Sequence, residues 1–456
     1  VGDVADNNPV IIGALSGGTI TANLSEAISG TTINLTIAPD SGKRLKAGTL
    51  KYNDGADHAF TGTSFIMPGS TVTVTAEFEV IPSSGGGGGI TPAVISTEIN
   101  VSTSDGSASV KGTLTETENG TKIIIKNDAF NKLDDANQPV FINAQLATVE
   151  FDKKAIDTID DAAGSGDITL TVRKVASSEL SDKDLELVGS RLVYDLTVSK
   201  GGKTISDFKG GHATVNIPYT LKAGENPNTV VVYYLSSNGE LIAVRGHYDA
   251  TLKAVVFKTT HFSKFVIGNN PVIFSDVSDS AWFKNAIEFI AARGITSGTG
   301  NNNFSPDAKL TRGQFVVLLM NAYCISPERA KEFDHIGQFN DAGNTYYTNY
   351  LLTAKGLGIV NGVGSNMFAP EKEITRQEMF VMLYNALKVI DEVPANDNNT
   401  QLSSFNDADK IASWANEALS SLVKTGTVGG YNNNLNPTST TTRAEIAQVL
   451  YNLLSK

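Results

Sequence analysis

The chain has almost no cysteine and no long apolar run, the features that would provide disulfides or a membrane anchor. It contains one cysteine, Cys324, among 456 residues, so no disulfide can form within it. Cys324 follows an apolar run, and we interpret it as a small buried core residue. No run of about 20 apolar residues occurs, which argues against a membrane-spanning helix. The first residues, Val-Gly-Asp, do not begin a signal peptide, so we expect a processed or truncated piece of a longer protein.

Positive charge is also scarce. The chain has 36 Lys and Arg against 48 Asp and Glu, a net charge of −12, and a pI near 5.0. A nucleic-acid-binding surface needs a basic patch to neutralise phosphates, and anionic membranes attract basic segments. We therefore predict no nucleic-acid partner and no simple attraction to an anionic membrane surface. The missing apolar run predicts no membrane insertion. An acidic chain can still bind an anionic polymer, but only through focused sites.

Residue patterns that would indicate catalysis or metal binding are missing. Asn53–Asp57 resembles an incomplete calcium loop and is interpreted as a turn. Asp160 and Asp161 lie in a polar stretch, and no nucleophile elbow occurs. The histidines lack metal-ligand spacing. They are His58, His212, His247, His261 and His335. We predict no catalytic residue, no metal and no cofactor.

The N-terminal part, residues 1–81, is predicted to be a small β domain. Short segments alternate apolar and polar residues between glycine-containing turns, most regularly over residues 71–78. Phe65-Ile66-Met67-Pro68-Gly69-Ser70 runs into that segment, which closes at Ala76-Glu77-Phe78. This resembles the divergent internalin-type repeat of Gram-positive surface proteins, which implies a spacer or adhesion module. Residues 82–91, rich in Gly, Ser and Pro, are predicted to be a flexible linker.

Residues 92–270 are predicted to form a second mainly-β domain. A helix is expected at Lys153–Ala162, and Asn238-Gly239 predicts a hairpin turn. The predicted strands are Lys122–Lys126, Asp167–Arg173, Arg191–Ser199, Ala213–Tyr219, Thr229–Leu235, Leu241–Tyr248 and Ala254–Thr259. Ile217-Pro218-Tyr219 and the segment 261–265 resemble a β domain often found just upstream of bacterial wall-anchoring modules. No chemistry follows from that resemblance.

The remaining residues form three similar units, predicted at 271–338, 339–402 and 403–456. The openers Phe274, Phe339 and Phe405 are 65 and 66 residues apart, each followed two residues later by Asp. An aromatic-led amphipathic helix, two glycines, a proline turn and a longer apolar helix then follow in every unit. A period of this length predicts a repeat array with a shared core.

Each longer helix begins with Thr-Arg, and this start points to anion binding. The pairs Thr311-Arg312, Thr375-Arg376 and Thr442-Arg443 precede Gln or Glu at the third helical position, which predicts a capping box. Arg occupies the first helical position, where the helix dipole favours acidic residues. Three matched copies indicate a role other than helix stability. A guanidinium beside a helix start suits an anion, although a structural ion pair remains the alternative.

The order of these sequence features in each unit resembles the S-layer homology domain, present here three times. The resemblance implies that three units pack as a pseudo-trimer around the long helices. The predicted fold class is therefore multidomain: two mainly-β N-terminal domains followed by an all-α pseudo-trimeric helical bundle. It further implies an extracellular, cell-wall or S-layer location. Grooves between units would bind secondary cell-wall polysaccharide, usually through a pyruvylated sugar.

The resemblance also implies which side chains line those grooves. The ligand-binding set comprises three arginines (Arg312, Arg376, Arg443), three aromatics (Trp282, Tyr346, Trp414), three glycines (Gly294, Gly358, Gly426) and three aspartates (Asp276, Asp341, Asp407). Core packing for the aromatics, turn geometry for the aspartates and backbone geometry for the glycines stay open as alternatives. Unit one departs from the pattern, with Gly313-Gln314 after its arginine. Which groove such departures affect stays open.

Three hypotheses about function follow. The first is a non-catalytic surface or S-layer protein, anchored to wall polysaccharide and self-assembling in a surface lattice. The second is the anchoring tail of an exported polysaccharide-degrading enzyme, with its catalytic module upstream of Val1. The third is a carbohydrate- or host-binding adhesin in the middle β domain.

Overall fold

The computed structural model describes residues 7–40, 43–46, 48–59, 64–80, 96–117, 119–162, 165–394, 398 and 400–455. The predicted linker at 82–91 lies outside these residues. The chain divides into two compact units, Val1–Ile99 and Asn100–Lys456. No helix in the described part of the chain is long and apolar enough to cross a membrane.

The first unit is built from short strands, as its alternating sequence predicts. Its described strands are β1 (Asn8–Ile12), β2 (Gly18–Ala22), β3 (Glu26–Ala27), β4 (Thr32–Pro39), β5 (Lys43–Leu45), β6 (Lys51–Asn53), β7 (Asp57–Ala59), β8 (Ser64–Ile66), β9 (Val72–Thr75) and β10 (Phe78–Val80). They form sheets of order β3-β1-β9-β6-β7, β2-β4-β8 and β10-β5. Alternation buries Ile33 and Leu35 of β4 with Val72 and Val74 of β9.

The second unit opens with a 14-stranded sheet. Its strands are β11 (Ser96–Thr103), β12 (Ser109–Thr117), β13 (Gly120–Ile125), β14 (Val140–Asn143), β15 (Thr148–Phe151), β16 (Ile168–Lys174), β17 (Leu192–Lys200), β18 (Lys203–Ile205), β19 (Ala213–Pro218), β20 (Val230–Leu235), β21 (Leu241–Val244), β22 (Gly246–Asp249), β23 (Ala254–Thr259) and β24 (Lys264–Asn269). Their order is β21-β20-β24-β17-β16-β13-β12-β11-β14-β15-β19-β23-β22, with β18 beside β17. Because β20 also contacts β22, the two ends of the sheet approach each other.

Three helices accompany this sheet: α1 (Asn127–Asp135), α2 (Lys153–Asp160) and α3 (Asp182–Val188). The predicted helix at Lys153–Ala162 is confirmed as α2, with Asp152 as its N-cap. The Asn238-Gly239 hairpin is confirmed between β20 and β21, where Gly239 has φ of 68°. The predicted strand Leu241–Tyr248 is divided into β21 and β22.

The three C-terminal units each contribute two α-helices. These are α4 (Lys284–Ala292), α5 (Arg312–Ala322), α6 (Thr348–Gly356), α7 (Arg376–Val389), α8 (Asn416–Lys424) and α9 (Arg443–Leu454). Short 3₁₀ segments lie at Pro327–Ile336, Leu402–Ser404, Ala408–Lys410 and Ser413–Ala415. Buried residues from all three units form one apolar cluster. This shared core is what a stacked repeat needs, because a single unit cannot bury its own apolar face.

The predicted all-α pseudo-trimeric helical bundle is wrong. The described part of the chain is mainly β and only about 27% helical. Even in the C-terminal units, β-bridges join Lys309 to Thr442, Thr311 to Glu373 and Thr375 to Thr440, just before the helix starts. The prediction failed because helical periodicity reports only the apolar stripes. The extended and turn residues between them, which pair with other units, carry no such period.

The 14-stranded sheet and the first C-terminal unit are joined through a buried arginine. The Arg293 guanidinium donates to the carbonyls of Gly246, Asn228 and Val230 at 2.8, 2.8 and 2.9 Å. Burial lowers the pKa of Arg293 to about 9. Farther along, Glu392 forms ion pairs with Arg245 and Lys258 of the sheet.

Candidate functional site

The three predicted capping boxes are confirmed. At the first, the Thr311 hydroxyl accepts the Gln314 amide at 3.3 Å, and the Gln314 side chain accepts the Thr311 amide at 3.2 Å. Thr375 with Glu378, and Thr442 with Glu445, repeat the arrangement at α7 and α9. Each arginine therefore stands at the first position of a well-capped helix.

The backbone amides of each helix start are occupied by another unit. The Arg312 and Gly313 amides donate to carbonyls of Lys372 and Pro370 in unit two, at 2.9 and 2.8 Å. The same pair of bonds runs from α7 to Ser439 and Pro437, and from α9 to Ala308 and Pro306. The three contacts close a cycle from unit one to two, two to three and three to one. Because these amides are already satisfied, an anion at a junction would be met by the guanidinium and not by the helix N-terminus.

Each arginine also donates from Nε across its junction. Arg312 reaches the carbonyl of Phe368 and Arg376 that of Leu435, both at 2.9 Å, while Arg443 reaches that of Phe304 at 2.7 Å. Arg312 and Arg443 are 3% and 6% exposed, and Arg376 is half-buried. The three predicted arginines thus lie between neighbouring units.

The predicted aspartates hold the turns that present those carbonyls. The Asp276 carboxylate accepts the amides of Phe304 and Ser305 at 2.8 and 2.7 Å. Asp341 and Asp407 repeat these two bonds in their own units. Ser305 has φ of 59°, a left-handed conformation that needs such support. Each aspartate therefore fixes the turn against which a neighbouring arginine is bonded.

The three junctions differ in what faces the guanidinium. Arg312 forms an ion pair with Glu378 at 2.9 Å. Burial alone would raise the pKa of Glu378, but hydrogen bonds from Thr375 and the Arg312 charge hold it below the ordinary value. Burial lowers the pKa of Arg376, and the nearby Glu445 carboxylate partly offsets that effect. Two of the junctions thus carry an internal carboxylate opposite their arginine.

The third junction has no such carboxylate, because the corresponding residue of unit one is Gln314. Burial lowers the pKa of Arg443, partly offset by the charges of Tyr346 and Asp276. The Asp276 carboxylate is already bonded to two amides. The Nη2 atom of Arg443 is buried and has no hydrogen-bond partner among the described residues. Such an atom is costly to bury, so an acceptor brought by a ligand would be favoured.

A pocket of about 550 Å³ lies at this junction. Unit one contributes the loop 294–300 together with Gln314 and Asn321, unit two contributes Tyr346, and unit three contributes Arg443. The pocket thus brings together Gly294, Tyr346 and Arg443 from the predicted set. Its lining combines one cation, one aromatic ring and a glycine-containing loop.

The predicted aromatics are surface residues. Trp282 and Tyr346 are each 63% exposed, and Trp414 is 56% exposed. They lie just before α4, α6 and α8 rather than within the apolar stripes of those helices. Trp282 meets Phe283 edge-on, and Tyr346 meets Tyr347 in the same way. Exposed rings of this kind leave a face for a ligand.

The predicted glycines end the shorter helices in the left-handed conformation. Gly294, Gly358 and Gly426 have φ of 67°, 73° and 70°. The second glycine of the unit serves packing, since a Cβ on Gly298 would come within 2.6 Å of the Phe274 ring. The opener and the second glycine are therefore linked by close contact.

Sequence reasoning missed that Glu378 and Gln314 face an arginine of another unit. The sequence does carry a signal for this difference, since the third helical position is Gln, Glu and Glu in the three units. The capping box alone accounts for either residue type, so the sequence does not reveal the contact with another unit. Among the described residues, no group of three or more His, Cys, Asp or Glu could hold a metal ion.

Residues 273–316, 338–380 and 404–447 match the family described as S-layer homology domain. Residues 8–82 match the family described as divergent InlB B-repeat domain. The chain carries three S-layer homology domains and a divergent InlB B-repeat domain. The resemblances to the S-layer homology domain and to the internalin-type repeat are confirmed. The resemblance of Ile217-Pro218-Tyr219 and the segment 261–265 to a β domain upstream of wall-anchoring modules stays a prediction. The S-layer homology domains place the chain in an extracellular, cell-wall-anchored surface protein.

Curated relatives include both enzymes and surface-layer proteins. An amylopullulanase of Thermoanaerobacterium thermosulfurigenes is 28% identical over 69% of this chain. Exoglucanase XynX of Acetivibrio thermocellus is 33% identical over 41% of the chain, and the surface-layer 125 kDa protein of Lysinibacillus sphaericus is 29% identical over 37%. The matches cover only 16%, 16% and 14% of these relatives. The amylopullulanase match of 316 residues is longer than the segment 273–447, so it includes residues outside the S-layer homology domains.

Proposed function

We propose that the three S-layer homology domains hold the protein on the cell wall by binding an anionic wall polysaccharide in the grooves between units. The supporting observation is that the buried Nη2 of Arg443, a residue lining a pocket of about 550 Å³, has no hydrogen-bond partner among the residues that the structure describes. Anchoring of this kind needs binding alone, and no step of it requires catalysis.

The charge of the junctions favours an acidic ligand group. A carboxylate matches a guanidinium in shape and charge, and such a hydrogen bond contributes about 1.5–3 kcal/mol. A pyruvyl ketal on a terminal sugar would bring this carboxylate on a rigid ring. We therefore propose a pyruvylated sugar as the ligand, as the family resemblance implies.

The exposed ring of Tyr346 supplies a second kind of contact. A phenol face can stack against a sugar ring while its hydroxyl remains hydrated. The neighbouring loop 294–300 contributes glycines, which allow a ligand to approach the backbone closely. The ketal would then lie toward Arg443 and the sugar ring toward Tyr346.

The test is binding of the whole chain to purified wall polysaccharide before and after chemical removal of its pyruvyl groups. We expect the polysaccharide to bind before the treatment. After the pyruvyl groups have been removed, the neutral polysaccharide should no longer bind. Equal binding before and after the treatment would contradict the proposed ligand. Arg443→Ala should weaken binding, with Lys331→Ala as a matched control because Lys331 is an exposed cation of the same half of the chain.

A second candidate is that the same anchor serves a polysaccharide-degrading enzyme. It is favoured by the amylopullulanase match, which includes residues upstream of the S-layer homology domains. Hydrolysis of starch, glucan and xylan by the product of the whole gene is the test. Activity would establish the enzyme, and ordered arrays of the purified product would instead favour a lattice-forming surface protein like the surface-layer relative.

A further inference from the structure

We infer that Gln314 determines which junction accepts the anionic group of the ligand: it directs that group to Arg443, between units three and one. This inference rests on the proposed function, since it concerns the same grooves. It adds a selection rule that comes from this chain alone. An arginine binds the ligand only where the facing third helical residue carries no charge.

The three junctions have matched geometry. At each one, Nε of the arginine is bonded to a turn carbonyl of the next unit, and the aspartate of that turn is bonded to two amides. These contacts leave only the Nη atoms to pair with a carboxylate. What they pair with depends on the residue at the third helical position of the facing unit.

At the junction of Arg312, the arginine is already paired with a carboxylate of the protein; we call such a junction closed. Its Nη1 lies 2.9 Å from Glu378, whose side chain is 13% exposed. Lys372 lies 3.7 Å from the same carboxylate. A ligand carboxylate entering this junction would meet Glu378 as a like charge and would compete with it for Arg312. The internal ion pair therefore disfavours binding there.

At the junction of Arg443, the facing residue at the third helical position carries no charge; we call such a junction open. Gln314 is neutral, and its side-chain oxygen is used by the Thr311 amide in the capping box. Arg443 is 6% exposed, and its Nη2 has no partner in the described part of the chain. Arg443 and Gln314 line the same pocket. Arg376 is the intermediate case, because the Glu445 charge acts on it although no ion pair links the two in the described residues.

The experiment measures binding by calorimetry of a methyl hexopyranoside carrying a pyruvyl ketal, with its carboxyl methyl ester as the neutral control. The proteins are the whole chain and its variants Gln314→Glu, Glu378→Gln and Gln314→Asn. We expect the wild type to bind the acid at one high-affinity site. Gln314→Glu should weaken that binding about 10- to 100-fold, the scale of one charge-assisted hydrogen bond. Gln314→Asn, which stays neutral, should retain it within a few-fold.

Glu378→Gln tests the rule in the opposite direction. It preserves a capping box, as Gln314 does in unit one, but frees Arg312, so the number of sites per chain should rise. The ester should bind weakly to every variant. If the wild type binds the acid but Gln314→Glu binds it equally well, the selection rule is wrong while the proposed function stands. If the wild type binds neither the acid nor the wall polysaccharide, the proposed function itself fails.

Discussion

The junction between units one and two and the junction between units three and one share their backbone contacts but differ in one side chain. In the first, Arg312 is bonded to Glu378. In the second, Arg443 and the neutral Gln314 line the same pocket, and Nη2 of Arg443 has no partner within the described residues. The same helix cap can therefore either complete an interface or leave it available to a ligand. Replacing Glu by Gln preserves the cap and removes only the charge.

The largest expected effect on stability comes from removing Arg312, the arginine that is ion-paired with Glu378. Arg312→Ala leaves the Glu378 carboxylate, whose side chain is 13% exposed, with only the more distant Lys372 at 3.7 Å. Removing one partner of a buried ion pair typically costs about 3–5 kcal/mol. Arg443 forms no ion pair with any described residue, so Arg443→Ala should cost clearly less. The intrinsic fluorescence of Trp282 and Trp414, the two tryptophans of the chain, reports unfolding of these units in denaturant. Equal losses in the two variants would show that Glu378 does not distinguish the junctions.

A smaller loss of stability is expected when the turn that presents the Phe304 carbonyl to Arg443 is destabilised. Asp276→Ala removes the acceptor of two backbone amides and should cost about 1–3 kcal/mol. Since that turn also holds the carbonyl bonded to Arg443, ligand binding should weaken with it. Asp341→Ala is the matched variant, and it should cost similar stability with little effect on ligand binding. Calorimetric titration of both variants checks the difference.

Closing the open junction should stabilise the free protein. Gln314→Glu gives Arg443 an internal carboxylate and should raise the free energy of unfolding by about 1 kcal/mol. The same substitution is expected to weaken ligand binding, so stability and binding move in opposite directions. Denaturant unfolding without ligand measures the first effect. A destabilised Gln314→Glu variant would mean that Arg443 is not free to pair.

The smallest effect is a difference in acid sensitivity. The pKa of Glu378 is held below its ordinary value of 4.5 in the folded protein. Its contribution to stability is therefore present above pH 4.5 and is lost as the pH falls through the folded pKa. Glu378→Gln should remove that part of the acid dependence, whereas Gln314→Asn should leave it unchanged. Unfolding curves at a series of pH values below 5 make the comparison.

Local features of the fold could be predicted because their causes are local. The capping box at Thr311, the helix-ending Gly294 and the strand Ala254–Thr259 each follow from neighbouring residues. The partners of the arginines could not, since Arg443 is bonded to the carbonyl of Phe304, 139 residues away in sequence. The same limit explains the wrong helical bundle, because the bridges between units pair segments with no periodic signal. The candidate site was predicted by residue type, but the feature that distinguishes its three copies was not.

The contacts of Arg293 and Glu392 have a mechanical consequence. They fasten the 14-stranded sheet to the wall-binding units at two separate places, with a guanidinium held by several carbonyls at one and a doubly paired carboxylate at the other. A pull applied to the sheet is then transmitted directly to the anchoring units through both sets of contacts. Shear from flowing liquid would therefore act on the sheet and its anchor as one body.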